Sequence, residues 1–175
     1  MNTYHHMEFH CFCGKCQVTR KNVDTGSDSD FGPYQNNISR AGAFIYTDEE
    51  YNRSGSFIHT AERYVLLVQS YNGKWGPPKG RVEANESSFD CAVRETYEET
   101  GIDISRIIDA RTKRTLNGKW DIYPIKFNTR VKIEPMSDEI TGYGWVSIGC
   151  ISRNKRRLNH PCKLALKEFM DVRIM

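Results

Sequence analysis

The chain has 175 residues, of which 38% are hydrophobic and 27% charged, and a net charge of +3. One domain with a real core is expected at this length, and no run of about 18 apolar residues exists to cross a bilayer. The N-terminus lacks the apolar stretch of a secretory leader, so the six cysteines are expected to be reduced thiols or metal ligands in a soluble, cytoplasmic protein.

In chain order, residues 1–37 form a polar segment containing Cys and His, followed by a domain over 38–175. His10-Cys11-Phe12-Cys13-Gly14-Lys15-Cys16 offers up to four soft ligands. Structural zinc takes four, commonly as two pairs spaced C-x2–4-C or H-x3–5-H. Cys13 and Cys16 make one such pair. His10 and Cys11 are too close together for a second, so His5, His6, Cys150 or Cys162 would have to complete the shell. Reduced cysteines in a loose tail also need no metal. With zinc, the segment would loosely resemble a zinc knuckle that binds single-stranded nucleic acid.

Residues 25–30 (TGSDSD) predict a flexible loop within an irregular first forty residues, and Ala41–Tyr46 predicts the first strand. Residues 47–62 form a polar insertion before Tyr64–Gln69, a continuous apolar run suited to a central strand. The segment SYNGKWGPPKG is punctuated by Gly and Pro and predicts a shaped loop.

A helix follows. Ser87 with Asp90 three residues on forms a capping box, and Gly101 stands where a left-handed C-terminal residue belongs. Phe89, Val93 and Tyr97, with Ala92 and Thr96, predict its buried stripe. Glu95, Glu98 and Glu99 fall at i, i+3 and i+4 on another face. Like charges there cost roughly 0.2–0.5 kcal/mol per pair, and the helix dipole disfavours anions in the last turn. A hard divalent cation, Mg²⁺ or Mn²⁺, would supply the missing counter-charge; a solvated acidic face is the bland alternative. Arg94 can pair with Glu86 and tie the preceding loop to the helix.

Beyond the helix, Ile104–Arg114 predicts a turn and a strand. Trp120–Phe127 predicts a strand in which Pro124 argues for an edge or a bulge. Tyr143–Ile148 predicts another, and Pro161–Met170 a helix with Leu164, Leu166, Phe169 and Met170 as its apolar stripe. Two basic clusters stand out: Arg111, Lys113 and Arg114, then Arg153, Lys155, Arg156 and Arg157. Helices layered on a mixed sheet, an α/β fold, are expected.

Taken together, Gly80, Glu86, Arg94, Glu95, Glu98, Glu99, Gly101 and Ile102 resemble the Nudix hydrolase signature G-x5-E-x7-R-E-U-x-E-E-x-G-U, where U is aliphatic. The departure is Thr96 at the first U, facing the core. The resemblance implies an α/β/α sandwich with a mixed β-sheet, extending over roughly residues 38–170. It also implies hydrolysis of a diphosphate linkage in nucleotide-type substrates. It assigns Glu95, Glu98 and Glu99 as ligands of Mg²⁺ or Mn²⁺, with the Gly80 carbonyl as an additional one, and Glu86 and Arg94 as their support. The general base varies within the family. Glu139, ahead of the strand at Tyr143, is the first candidate and Glu98 the second, with Glu95 the third carboxylate of the catalytic set.

The loop before the motif points two ways. Trp75-Gly76-Pro77-Pro78-Lys79-Gly80 with Val82-Glu83 is similar to diadenosine tetraphosphate hydrolases, and with Asp90-Cys91-Ala92 and Asp103 to mRNA-decapping enzymes. Lys79 would contact phosphate in either case, Arg81 is a further substrate-binding residue, and Trp75 is either a substrate-binding residue close to the base or a packing residue. The basic clusters suit a long polyanion, which favours capped mRNA and release of m7GDP. Dinucleoside polyphosphates and inositol pyrophosphates are the alternatives, the latter without their usual P-G-G loop. A catalytically silent module that binds nucleotide or RNA would be expected to lose motif carboxylates, and this chain keeps them all. No membrane is expected, and the sequence implies no particular obligate protein partner.

Overall fold

A computed structural model of the chain describes residues 11, 13–21, 40–51 and 60–172. His5, His6, His10 and the 25–30 loop lie outside the described residues. In order, the strands are β1 (Gln17–Arg20), β2 (Arg40–Tyr51), β3 (Thr60–Ser70), β4 (Trp75–Gly76), β5 (Lys79–Arg81), β6 (Arg114–Leu116), β7 (Trp120–Phe127) and β8 (Ile140–Ser147). The helices are α1 (Ser88–Thr100), α2 (Ile148–Arg153) and α3 (His160–Met170).

The sheet runs β1-β8-β3-β2-β7-β6, with β4 added to β3 and β5 to β2. β2 pairs parallel with β7 and antiparallel with β3, so the sheet is mixed. Side chains alternate along each strand, and in β2 and β3 both alternating sets are apolar. Ala41, Ala43 and Ile45 of β2, with Leu66 and Val68 of β3, face one layer with Ile102, Ile104, Cys91 and Ala92. Phe44, Val65 and Leu67 face the other layer, with Ile151, Cys162, Ala165 and Leu166 from α2 and α3. The result is the expected α/β/α sandwich.

Pro124 lies on β7 opposite Phe44 of β2, while β6 pairs only with Trp120–Ile122. It therefore sits where the β6 side of β7 has no ladder partner, so its missing N–H costs no ladder bond.

Several boundaries differ from the sequence-based expectation. The first forty residues are not wholly irregular, since Gln17–Arg20 pairs antiparallel with β8. A four-residue edge strand with one half-buried side chain carries too little apolar periodicity to register. The expected polar insertion at 47–62 is partly strand, because Thr47–Tyr51 and Thr60–Tyr64 continue the β2–β3 ladder beyond the apolar core. Ile148 starts α2 instead of ending β8, the turn being capped by Ser147, whose hydroxyl accepts the Cys150 N–H.

Within α1, Ser87 caps the N-terminus by accepting the Asp90 N–H, and Gly101 ends the helix at φ 74°, as expected. The predicted stripe is corrected at Tyr97, which is 45% exposed. Each four-residue step turns about 40° beyond a full circle, so the line that starts at Phe89 and Val93, both packed against the core, has turned toward solvent by Tyr97. Ala92 and Thr96 are buried as expected, and Cys91, Glu99 and Thr100 are buried with them.

Thr96 is fully buried, and its hydroxyl has no hydrogen-bond partner among the described residues. An unpaired buried hydroxyl costs on the order of 1–3 kcal/mol. Thr96→Val keeps the shape, so thermal unfolding is expected to shift upward by roughly 2–4 °C for ~1 kcal/mol regained. A lowered midpoint would contradict this.

Candidate active site

The loop and β5 ahead of α1, the last turns of α1, and the loop before β8 meet at one cleft of about 610 Å³. It is lined by Arg40, Lys79, Gly80, Arg81, Glu83, Arg94, Glu95, Glu98, Ser137 and Glu139. The carboxylates expected on one face of α1 are graded in depth. Glu99 is 8% exposed, the Glu95 side chain 14% and the Glu98 side chain 46%.

Arg94 organises this group. Its Nε and Nη2 donate to the two oxygens of Glu86 at 2.8 and 3.0 Å, and Nη1 donates to Glu95 at 2.8 Å and Glu98 at 3.2 Å. Nη2 also donates to the Arg81 carbonyl at 3.0 Å, so loop, β5 and helix share one guanidinium. The pair with Arg94, opposed by burial, holds the Glu86 carboxyl down at about 2. Glu99 accepts the Lys79 backbone N–H at 2.8 Å, which fixes the loop from the other side.

Glu139 arrives by a different route. The last turn of α1 leaves carbonyls without helical partners, and the loop before β8 supplies donors. Glu134 N–H bonds to Thr100 O at 2.8 Å, and the N–H groups of Met136 and Ser137 bond to Glu98 O at 2.9 Å. The docked loop then carries Glu139 into the cleft.

These donors suit a hard cation. Burial pushes the Glu99 carboxyl up to about 8 despite its bond to Lys79, and the charges of Glu95 and Glu139 push the same way. Burial also raises Glu95, with Glu98 and Glu139 adding to the effect. Crowded oxygen donors that repel one another are what Mg²⁺ or Mn²⁺ relieves. Gly80 supports the fit, since a Cβ there would overlap the Glu95 carboxylate. The glycine leaves Glu95 room beside its own backbone.

Among the expected substrate contacts, Lys79 and Arg81 line the cleft, and burial lowers the Lys79 ammonium while Glu99 opposes the shift. Of the two roles open to Trp75, substrate contact is corrected and packing is the one found. The residue is fully buried, packed with Leu158, Ile151 and Leu166, and its carbonyl accepts the Asn159 N–H at 2.8 Å. It builds the layer under the loop and is not among the residues that line the cleft. Arg40 was not foreseen. It opposes Arg81 across the β2–β5 pairing, and only the topology brings it to the cleft.

Cys11, Cys13 and Cys16 gather with Cys150 rather than with the cleft residues. Cys162 is fully buried between α3 and the sheet, and Cys91 is buried in α1. The basic cluster at 111–114 is neutralised locally, Arg111 by Asp109, Lys113 by Asp121 and Arg114 by Glu168. Among the described residues, no helix is long and apolar enough to cross a membrane.

The family model described as NUDIX domain matches residues 51–163. The chain is 42% identical over 90 residues to putative hydrolase 111R of Invertebrate iridescent virus 3, covering 49% of this chain and 52% of that protein. It is 57% identical over 115 residues to mRNA decapping complex subunit 2 of Schizosaccharomyces pombe, covering 61% of this chain and 15% of the other. It is 52% identical over 118 residues to asymmetrical bis(5'-nucleosyl)-tetraphosphatase of Sus scrofa, covering 62% and 72%. The chain thus spans about half the length of the viral relative and a small part of the yeast one. Among solved structures, a Caenorhabditis elegans Ap4A hydrolase binary complex is similar, with a TM-score of 0.51 and 25% identity, over 66% of this chain and 84% of that one.

Proposed function

The chain belongs to the NUDIX domain family, and on that premise we propose that it is a divalent-metal-dependent pyrophosphohydrolase acting on a phosphate chain that joins two nucleosides, capped mRNA first among them. One observation carries the reading: Glu95, Glu98 and Glu139 share a single cleft with Lys79, Arg40 and Arg81. Acidic groups for cations therefore stand beside basic groups for phosphate.

Glu95, Glu98 and Glu99, with the Gly80 carbonyl, would hold Mg²⁺ or Mn²⁺, which when bound neutralises phosphate oxygens and makes water more acidic. Glu139 holds the attacking water and accepts its proton. Lys79, Arg40 and Arg81 meet the negative charge that collects on the bridging and departing phosphate oxygens. Arg94 is committed to Glu86, Glu95 and Glu98 and keeps those carboxylates in place.

Capped RNA is favoured by the similarity to the yeast decapping subunit over 61% of this chain and by exposed Lys155 and Arg156, which suit a polyanion. A dinucleoside tetraphosphate is the second reading. It is favoured by coverage of 72% of the Sus scrofa tetraphosphatase and by the locally paired cations at 111–114.

A panel of capped RNA, free cap dinucleotide, diadenosine tetraphosphate and an inositol pyrophosphate separates these readings. Release of m7GDP from capped RNA, with diadenosine tetraphosphate left intact, is the expected result; the reverse pattern overturns the decapping reading. Glu139→Gln is expected to lower kcat by ~10² or more, the scale of a lost general base, with KM little changed. A variant that keeps most of its rate would move the base to Glu98.

A further inference from the structure

The cysteines of the N-terminal segment form a second constellation, at the β1–β8 end of the sheet. Cys11, Cys13, Cys16 and Cys150 hold their four Sγ atoms within 4.8 Å of one another. Cys13 Sγ lies 3.5 Å from Cys11 Sγ and 3.6 Å from Cys16 Sγ. Four sulfurs placed about 2.3 Å from a tetrahedral zinc stand about 3.8 Å apart, so the spacing is that of a zinc shell made of four thiolates.

The surroundings suit thiolates. The Lys15 N–H donates to Cys13 Sγ at 3.4 Å, and the Ser147 N–H donates to Cys16 Sγ at 3.3 Å. Backbone donors of this kind steady a metal-bound sulfur. Gly14, at φ 69°, lets the Cys13-x-x-Cys16 turn close. The fourth sulfur comes from a distant element, buried Cys150 in the first turn of α2. Cys150 was among several candidate donors in the sequence, and only the fold brings it to the knuckle.

We propose that these four cysteines bind a structural zinc ion that fastens the arm before β1 to the β8–α2 junction. The arm has little apolar burial of its own to hold it: β1 is four residues long and mostly exposed. Zinc would replace the thiol protons and join the two segments through one ion.

The fastening extends toward the cleft. β1 runs along β8, and Lys21 follows it directly. Lys21 donates its N–H to Thr141 O at 3.0 Å and its ammonium to Ser137 O at 2.7 Å. Ser137 belongs to the loop that carries Glu139. An ion at one end of β1 thus secures an arm whose other end grips that loop.

The test uses the full chain, purified without chelator and under reducing conditions. Elemental analysis is expected to find one zinc per chain. Replacement with Co²⁺ is expected to give the sulfur-to-cobalt charge-transfer and tetrahedral d–d bands, both absent in Cys13→Ser/Cys16→Ser. A strong chelator should lower the thermal midpoint of the wild type and leave that variant unmoved. Exposed Cys11→Ser guards against misfolding of the double variant; it should weaken zinc retention on the order of 10-fold or more with the metal-free midpoint unchanged. Zinc-free protein, a Cys13–Cys16 disulfide under reducing conditions, or equal zinc in wild type and double variant would each overturn the proposal.

Discussion

Glu98→Gln is expected to lower metal-dependent hydrolysis by ~10²–10³, the range for losing one electrostatic group at a reacting centre, while the thermal midpoint stays in place. The separation follows from geometry. The Glu98 side chain is 46% exposed, so an uncharged isostere costs the core nothing. Its charged partner, Arg94, keeps Glu86 and Glu95. What the variant loses is a charged oxygen in the cleft that Glu98 shares with Glu95 and Glu139. Stopped-assay rates across a Mg²⁺ titration, with thermal unfolding in parallel, check both halves. Unchanged turnover would remove Glu98 from the metal set.

Arg94→Ala has the opposite signature, because it strikes stability and activity together. It removes both hydrogen bonds to Glu86, the bond to Glu95 and the bond to the Arg81 carbonyl. Glu86 and Glu95 side chains, 12% and 14% exposed, are left as poorly compensated charges. Breaking such a pair from one side costs about 3 kcal/mol, or roughly 6–12 °C in midpoint for a domain of this size. Arg94→Lys should recover only part, since an ammonium cannot make the two-pronged contact.

The pH dependence gives a second check. The Glu86 carboxyl is held at about 2, below its ordinary 4.5, by the hydrogen bond from Arg94. Its contribution to stability is therefore fully present above about pH 4.5 and fades as pH falls toward 2. The midpoint difference between wild type and Arg94→Ala should shrink as pH is taken from 7 to about 3. A constant difference would detach the effect from this ion pair.

These residues were legible before any fold was known, because their constraints are local. Ser87 and Gly101 announce a helix by its caps, and Glu95, Glu98 and Glu99 announce a charge problem by their spacing. The sandwich was legible for a similar reason: Ala41–Tyr46 and Tyr64–Gln69 have no polar face, so both sides of the sheet must be covered. Tyr97 misled because a four-residue repeat precesses around a helix.

What stayed hidden depends on contacts distant in sequence. Trp75 stands one loop away from the motif, yet its ring points into the layer beneath α3. Nothing in a tryptophan beside glycine and prolines says which way it turns. Arg40 and Arg81 meet only through strand pairing. Cys150 meets Cys13 and Cys16 only because β1 adds to the edge of β8. Glu139 was reachable from its place before a strand, but the bonds that dock its loop on α1 run through backbone groups, which carry no side-chain signature.

The most direct measurement of the central claim is product release from capped RNA and diadenosine tetraphosphate by the wild-type chain, with Mg²⁺ or Mn²⁺ and again with chelator. Cleavage within the phosphate chain that requires the cation is the predicted result. Cleavage undiminished by the chelator, or none of either compound with the cation present, would contradict it.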